Sequence, residues 1–297
     1  MKRKSKKSYT VMKKILYVTA TVLMVYIHCS GSTQAAEAFT TAPPEIPASE
    51  EPSASFLGWQ EIDGAQYYFS PETGEMQTGW LELDEKQYYF SPDTGQMQTG
   101  WKKINKQYYF FTISESEKGV LKKNCIAGTK KSGYYYVGKD GVRTDSFEIN
   151  AAVRYVRSHT KAGWPADKKL SACYESLRND YTYRHFDGVP KGAELSDCAH
   201  SLFKNSLGNC YRYASGFACI AAVLGYPAKV STGKVTSVYG GWAEHGWAQV
   251  LDKEKWKLCD IGMKQFMTDR HPWRSYVPSA VYRLTVKNGK AAWVKQV

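Results

Sequence analysis

Leu207-Gly208-Asn209-Cys210-Tyr211-Arg212-Tyr213-Ala214, running on through Phe217-Ala218 and Ala221-Ala222 to Leu224-Gly225, decides the fold of the C-terminal half. Gly208 interrupts the chain, Asn209 is a good N-cap and Gly225 a good stop. Small or apolar residues at 210, 213/214, 217/218 and 221/222 fall on one helical face. Cys210 therefore opens a buried helix. Unpaired N–H groups and the positive dipole end favour a thiolate there, the form that attacks a carbonyl carbon. The same N–H groups can receive the oxyanion that such an attack creates.

A thiolate used in this way needs an imidazole to set its charge and protonate the leaving group, and a third group to orient that imidazole. Glu244-His245-Gly246-Trp247-Ala248-Gln249-Val250 reads as a strand, Asp252-Lys253-Glu254-Lys255 as a turn, and Trp256-Lys257-Leu258-Cys259-Asp260 as the returning strand. A tight hairpin pairs Leu251 with Trp256, which sets Trp247 opposite Asp260. Residues 245 and 247 share a face, so His245 and Asp260 become diagonal neighbours about 7–8 Å apart along the backbone. Cys210, His245 and Asp260 are the candidate catalytic residues. Cys259 is expected to point to the opposite face, and Cys219 lies on the far side of the Cys210 helix.

Working outward, 148–159, 167–179 and 194–206 carry helical periodicity. The segments 228–235, 244–251, 255–260, 280–287 and 291–295 read as strands. Helices followed by an antiparallel sheet give an α+β order over 147–297. His159, His185, His200 and His271 have no setting comparable to that of His245 and read as structural.

Upstream the texture is different. Gly58-Trp59, Gly79-Trp80 and Gly100-Trp101 recur every 21 residues, followed by Tyr67-Tyr68-Phe69, Tyr88-Tyr89-Phe90 and Tyr108-Tyr109-Phe110. A degenerate fourth unit holds Tyr134-Tyr135-Tyr136 and the turn Gly138-Lys139-Asp140-Gly141. Each unit is one short hairpin, too small to stand alone, and stacking buries the aromatics between neighbours as an all-β solenoid over 57–146.

Residues 1–38 combine seven Lys/Arg between Lys2 and Lys14, an apolar run from Ile15 to Ile27, and Ala36-Glu37-Ala38 before Phe39. This is a secretory signal peptide, since the apolar run is shorter than the roughly 20 residues of a permanent span. Residues 39–56, rich in Ala, Pro, Ser, Thr and Glu, read as a flexible linker. Without residues 1–38 the formal charge falls from +12 to +6. No dense Lys/Arg run remains, which argues against nucleic acid as a partner. The six cysteines after Cys29 include no Cys-x-x-Cys pair, and Cys198-Ala-His200 lacks partners at zinc-site spacing. Neither a metal nor a cofactor is expected.

The repeats resemble the cell-wall-binding repeats of Gram-positive bacteria, which include choline-binding modules and the glycan-binding repeats of large clostridial toxins. In choline-binding members a second tryptophan precedes the tyrosine pair and completes a cation–π cage. Gln66, Gln87 and Gln107 stand in that place here, which moves the pattern toward the glycan-binding branch. Trp59, Tyr68, Trp80, Tyr89 and Trp101 are the candidate ligand platforms. The Gly-x-Cys-x-x-Tyr-Ala helix start, the His-x-Trp strand and the Trp-to-Asp strand resemble the transglutaminase-like superfamily. That resemblance implies a papain-like core with Cys210 as nucleophile, His245 as general acid/base and Asp260 as orienting carboxylate. It also implies an upstream side chain assisting the oxyanion, for which Tyr183 is the candidate. Arg212 departs from the glycine many members carry two residues after the cysteine. The expected protein is a secreted, surface-associated cysteine-dependent acyl-transfer enzyme, a protease/amidase or transglutaminase, held on a wall or glycan polymer while it acts on peptide or protein amides. The competing reading is a non-catalytic adhesin whose C-terminal fold is inert.

Overall fold

A computed structural model describes residues 57–297; the expectations for the signal peptide and linker fall outside the described residues. The described chain is α+β, with small two-stranded hairpins first and four helices beside a six-stranded sheet after them.

The hairpins are β1 (Gly58–Ile62) with β2 (Ala65–Phe69), β3 (Gly79–Leu83) with β4 (Lys86–Phe90), β5 (Gly100–Ile104) with β6 (Gln107–Phe111), and β7 (Cys125–Thr129) with β8 (Gly133–Val137). The first three close through two-residue turns with both φ angles positive: Asp63-Gly64, Asp84-Glu85 and Asn105-Lys106. Such turns match the twist of paired strands. The segment after each of the second and third hairpins ties it back to the hairpin before it. Met97 and Leu121 bridge to Phe90 and Phe111, and their N–H groups donate to Gln66 O and Gln87 O, both at 2.8 Å. Phe90 and Phe111 are fully buried by this stacking.

The register corrects one reading of the repeats. Gly58 faces Phe69, Gly79 faces Phe90 and Gly100 faces Phe111, so the third cluster is offset by one residue. Tyr108, not Gln107, stands where Gln66 and Gln87 stand. The extra aromatic in Tyr108-Tyr109-Phe110-Phe111 makes two alignments possible in the sequence, and the fixed 12-residue hairpin selects the other one.

The second half contains α1 (Phe147–His159), α2 (Ala166–Asp180), α3 (Glu194–Asn205) and α4 (Cys210–Val223). A short parallel pair, β9 (Thr182–Tyr183) with β10 (Leu207–Gly208), precedes α4. The antiparallel sheet has the order β14 (Gln265–Thr268), β13 (Lys255–Asp260), β12 (Trp242–Asp252), β11 (Ala228–Thr236), β15 (Tyr276–Lys287), β16 (Lys290–Lys295). α4 is the central helix: Phe217, Ala218, Cys219, Ile220 and Ala221 are all but inaccessible and share one core with Leu170 and Leu177 of α2, Leu195 and Leu202 of α3, and Val230 and Val250 of the sheet. Gly216 has no room for a Cβ because Leu202 lies against it, which lets α3 and α4 approach closely. Tyr136 of the fourth hairpin is buried in this same core rather than among the repeats, with its hydroxyl donating to Asn124 Oδ1 at 2.7 Å.

Candidate active site

Cys210 is the first residue of α4. The Asn209 side chain caps the helix by accepting from Arg212 N at 3.2 Å, which leaves the N–H groups of the first turn without intrahelical acceptors. β9 runs beside β10 with Tyr183 level with Gly208, so the strand pair carries Tyr183 to the mouth of the same turn. The Tyr183 phenol lies beside Cys210 and is influenced by both its backbone N–H and its sulfur. Burial, and after it the Cys210 sulfur, push its pKa up to about 12, so the group stays an O–H donor.

The β12–β13 ladder has Leu251 opposite Trp256 and runs to Ala248 opposite Cys259, one step short of Trp247 and Asp260. His245 and Asp260 meet across this end: His245 Nε2 lies 2.6 Å from Asp260 Oδ2. The Cys210 sulfur acts on the same imidazole, and with Nε2 engaged by Asp260 the ring nitrogen left to meet it is Nδ1. The three residues are 7%, 5% and 3% exposed, so the contacts are only weakly screened. Burial alone would push the His245 pKa down. The hydrogen bonds to Asp260 and Cys210 and their charges outweigh it and raise the pKa to about 10.

Gly246 explains how close the helix comes. A Cβ there would collide with the Tyr211 ring, so glycine lets the start of α4 rest on β12 beside His245.

One residue of the site carries no signal in the sequence. Tyr276, the first residue of β15, donates its hydroxyl to Asp260 Oδ2 at 2.8 Å, sharing that oxygen with His245. Met263 N donates to Oδ1 at 3.1 Å, and Tyr174 donates to the Asp260 carbonyl at 3.3 Å. The Tyr276 ring also packs edge-on against Trp247, centroids 5.0 Å apart, which fixes the wall behind the imidazole. Burial and the Asp260 charge hold Tyr276 protonated by pushing its pKa far up. Cys259 faces away as expected and contacts Met267 Sδ at 3.6 Å. The Arg212 guanidinium lies 3.6 Å from the Phe186 ring centroid. It lines a cavity of about 640 Å³ with Asn209 and Tyr211 on the flank of the helix start.

In the repeats, Trp59 and Trp80 are 41% and 40% exposed while Trp101 is half-buried. Tyr68 and Tyr89 meet these indoles edge-on within their own hairpins, at 5.4 and 5.2 Å. A second ring comes from the following hairpin: Tyr88 lies 5.0 Å from Trp59, and Tyr109 5.1 Å from Trp80. These cross-repeat tyrosines are missing from the sequence-based set because strand alternation alone does not say which member of the pair faces the next hairpin. A cleft of about 290 Å³ between the first two hairpins is lined by Trp59, Gln66, Lys86, Tyr88 and Met97 among others.

Family models match segments in both halves. Residues 151–261 match the family model of the transglutaminase-like superfamily. Residues 57–99 match the choline-binding repeat and 99–113 a cell wall binding repeat. Among solved structures, the chain is similar to CbpJ from Streptococcus pneumoniae TIGR4, 30% identical over 30% of this chain and 27% of that one, with a TM-score of 0.25. It is similar to choline binding protein F of the same species, solved with a peptidoglycan analogue, 30% identical over 30% and 26%, with a TM-score of 0.25. It is also similar to the choline binding domain of Spr1274 in Streptococcus pneumoniae, 27% identical over 30% and 94%, with a TM-score of 0.24. The chain thus spans only about a quarter of the length of the first two. No curated protein matches it.

Proposed function

We propose that the chain is a secreted cysteine-dependent acyl-transfer enzyme with a papain-like transglutaminase core, held at the cell wall by its repeats and acting on peptide or side-chain amides. The observation that carries this is the 2.6 Å contact of His245 with Asp260 on the far side of the imidazole from Cys210 at the start of α4. In this reading the Cys210 thiolate attacks the amide carbonyl to give a tetrahedral oxyanion. His245, cationic at neutral pH, gives its proton to the leaving amine as the C–N bond breaks, and a thioester remains. The first-turn N–H groups of α4 and the Tyr183 hydroxyl receive the oxyanion once the phenol turns from sulfur to substrate. Water or an amine then resolves the thioester. We favour water, because amine transfer needs water kept out of the site and the half-exposed Tyr183 beside Cys210 forms no closed cover over it.

For the repeats we propose stacking on wall glycan through Trp59 and Trp80. Gln66 and Gln87 replace one wall of a cation cage. The deciding experiment incubates wild type and Cys210→Ala with peptide and cell-wall libraries and reads cleavage and amine incorporation by mass spectrometry. Identical products from the two proteins refute the enzymatic reading and leave the adhesin.

A further inference from the structure

After Asp269 the chain carries six Lys or Arg and no Asp or Glu, and four of the six lie in β15 and β16. Two cation pairs stand face to face there: Arg283 is opposite Lys229 across β15 and β11, and Lys287 is opposite Lys290 across β15 and β16. Like charges set directly opposite on neighbouring strands are destabilising. Lysine on the edge strand β16 guards against edge-to-edge pairing, but β11 and β15 are interior strands and gain nothing from that. Lys229 and Arg283 are half-buried and lean over one indole, with Lys229 Nζ 4.2 Å and the Arg283 guanidinium carbon 6.0 Å from the Trp256 centroid. Burial, and after it the Arg283 charge, hold the Lys229 pKa below the usual lysine value, so the two cations act on each other.

Arg283 and Lys287 also line a cavity of about 650 Å³, together with Lys139 from the turn after β8. Ala222 at the end of α4 lines it too, which puts it about 18 Å of helix away from Cys210. Asp140, the one acid in its lining, is spent on the backbone: Oδ1 accepts from Val142 N at 3.1 Å and Oδ2 from Asn288 N at 2.7 Å. Among the described residues, no carboxylate forms an ion pair with Lys139, Lys229, Arg283 or Lys287. We propose that this cavity and the adjoining sheet face bind a phosphodiester polymer, with Lys229 and Arg283 holding one phosphate and Lys139 and Lys287 another. Repulsion that the chain leaves uncompensated becomes attraction once an anion lies between the paired cations. The arginine fork takes two phosphate oxygens at once, and each lysine adds an adaptable point charge. Lys287 is four residues along β15 from Arg283, about 13 Å, so a single small anion does not reach both whereas linked phosphates do. The site stands apart from the tryptophans of the repeats and gives the chain a second hold on a polymer, through charge rather than stacking.

The test measures binding of a fluorescent poly(glycerol phosphate) oligomer to the full chain by anisotropy, with inorganic phosphate and single-stranded DNA of equal charge as competitors. Wild type binds the oligomer, more weakly as salt rises. Lys229→Met/Arg283→Met, which keeps apolar packing on Trp256, lowers the affinity by about tenfold or more. Lys130→Gln/Lys131→Gln removes the same charge from the exposed β7–β8 turn and binds as wild type does. If the methionine variant does not fold, Lys139→Gln/Lys287→Gln carries the same test, since both side chains are exposed. Wild type that does not bind overturns the proposal, as does a folded cavity variant that binds like wild type or an equal loss in the Lys130/Lys131 variant. Displacement by inorganic phosphate at matched phosphate concentration also overturns it, because a single ion then suffices. DNA that competes equally overturns it as well, by marking a surface for any polyanion. No arm measures acyl transfer, so the reading of Cys210 stands or falls separately.

Discussion

Replacing Asp260 by Asn tests the tautomer of His245. The substitution conserves shape, so its effect comes from which atom faces which. Oδ1 accepts from the backbone N–H of Met263 at 3.1 Å, whereas Oδ2 faces both His245 Nε2 and the Tyr276 hydroxyl. The new amide can turn in only two ways. Turning its NH₂ toward Met263 sets two donors against each other in a buried site, at roughly 1–3 kcal/mol for the donor left unmet. Turning NH₂ toward His245 keeps the Met263 bond and lets Tyr276 rotate to accept, so this arrangement is favoured. Nε2 must then become an acceptor and the ring proton moves to Nδ1, the nitrogen that faces Cys210. An imidazole in that form cannot take the thiol proton, and general-base help worth about 10²–10⁴ is lost. Removal of the carboxylate also takes away the largest influence that raises the His245 pKa, so it drops from about 10. The assay is iodoacetamide labelling of Cys210 at pH 7, read by peptide mass, with circular dichroism as the fold control. Asp260→Asn is expected to label at least about a hundredfold more slowly than wild type. A folded variant that labels at the wild-type rate refutes the account of how Asp260 acts.

Tyr276→Phe removes one of the two donors on Asp260 Oδ2 and is expected to destabilise the fold by about 1 kcal/mol in urea melts and to shift the alkaline limb of the labelling profile. Tyr183→Phe removes a hydroxyl from the Cys210 turn; turnover of any substrate found should fall by about 10²–10³, while iodoacetamide labelling should not slow. The His245 pKa, raised from 6.5 to about 10 in the folded state, means the native protein holds an extra proton between those values. That stabilisation is complete below pH 6.5 and is lost as pH rises through 10, so the denaturation free energy should fall between pH 6.5 and 10.5. His245→Gln should remove part of the fall, the remainder coming from the thiols of Cys173, Cys198, Cys219 and Cys259, whose folded pKa values burial raises. Glu254 sits at φ 70° in the turn between β12 and β13, so Glu254→Gly should raise stability by about 1 kcal/mol without changing labelling. Gly246→Ala should slow labelling, because the added Cβ pushes Tyr211 and the start of α4 off β12.

How much of the site could be read beforehand depends on the range of the interaction. Asn209 and Gly225 bracket α4 because capping is local, and the helix runs from Cys210 to Val223. The Leu251 to Trp256 pairing was legible because a two-residue loop leaves one register, and that register carries His245 and Asp260 to the same end. Tyr276 was not legible. It reaches Asp260 only through the sheet order, with β11 lying between β12 and β15, and no local period encodes which strand closes beside which. β14 was missed for a related reason: at four residues, with Met267 at φ 53°, it has no alternation to detect.

Tyr108 makes the same point inside a repeat, where period is the strongest signal a sequence offers. Counting aromatics forward from Gly-Trp aligned Gln107 with Gln66 and Gln87, whereas counting by strand partners aligns Tyr108 with them. Only the second puts the Tyr108 ring at the third junction, where the Arg143 guanidinium carbon lies 4.3 Å from its centroid. Arg143 is also the residue where the repeats pass to the second half: Asp145 N donates to Gly289 O at 3.3 Å and Thr144 Oγ1 to the same oxygen at 2.9 Å. The two residues after it, Thr144 and Asp145, anchor the hairpins to the β15–β16 turn. The last repeat thus fastens the two halves together, while the exposed tryptophans, Trp59 and Trp80, lie in the hairpins ahead of it.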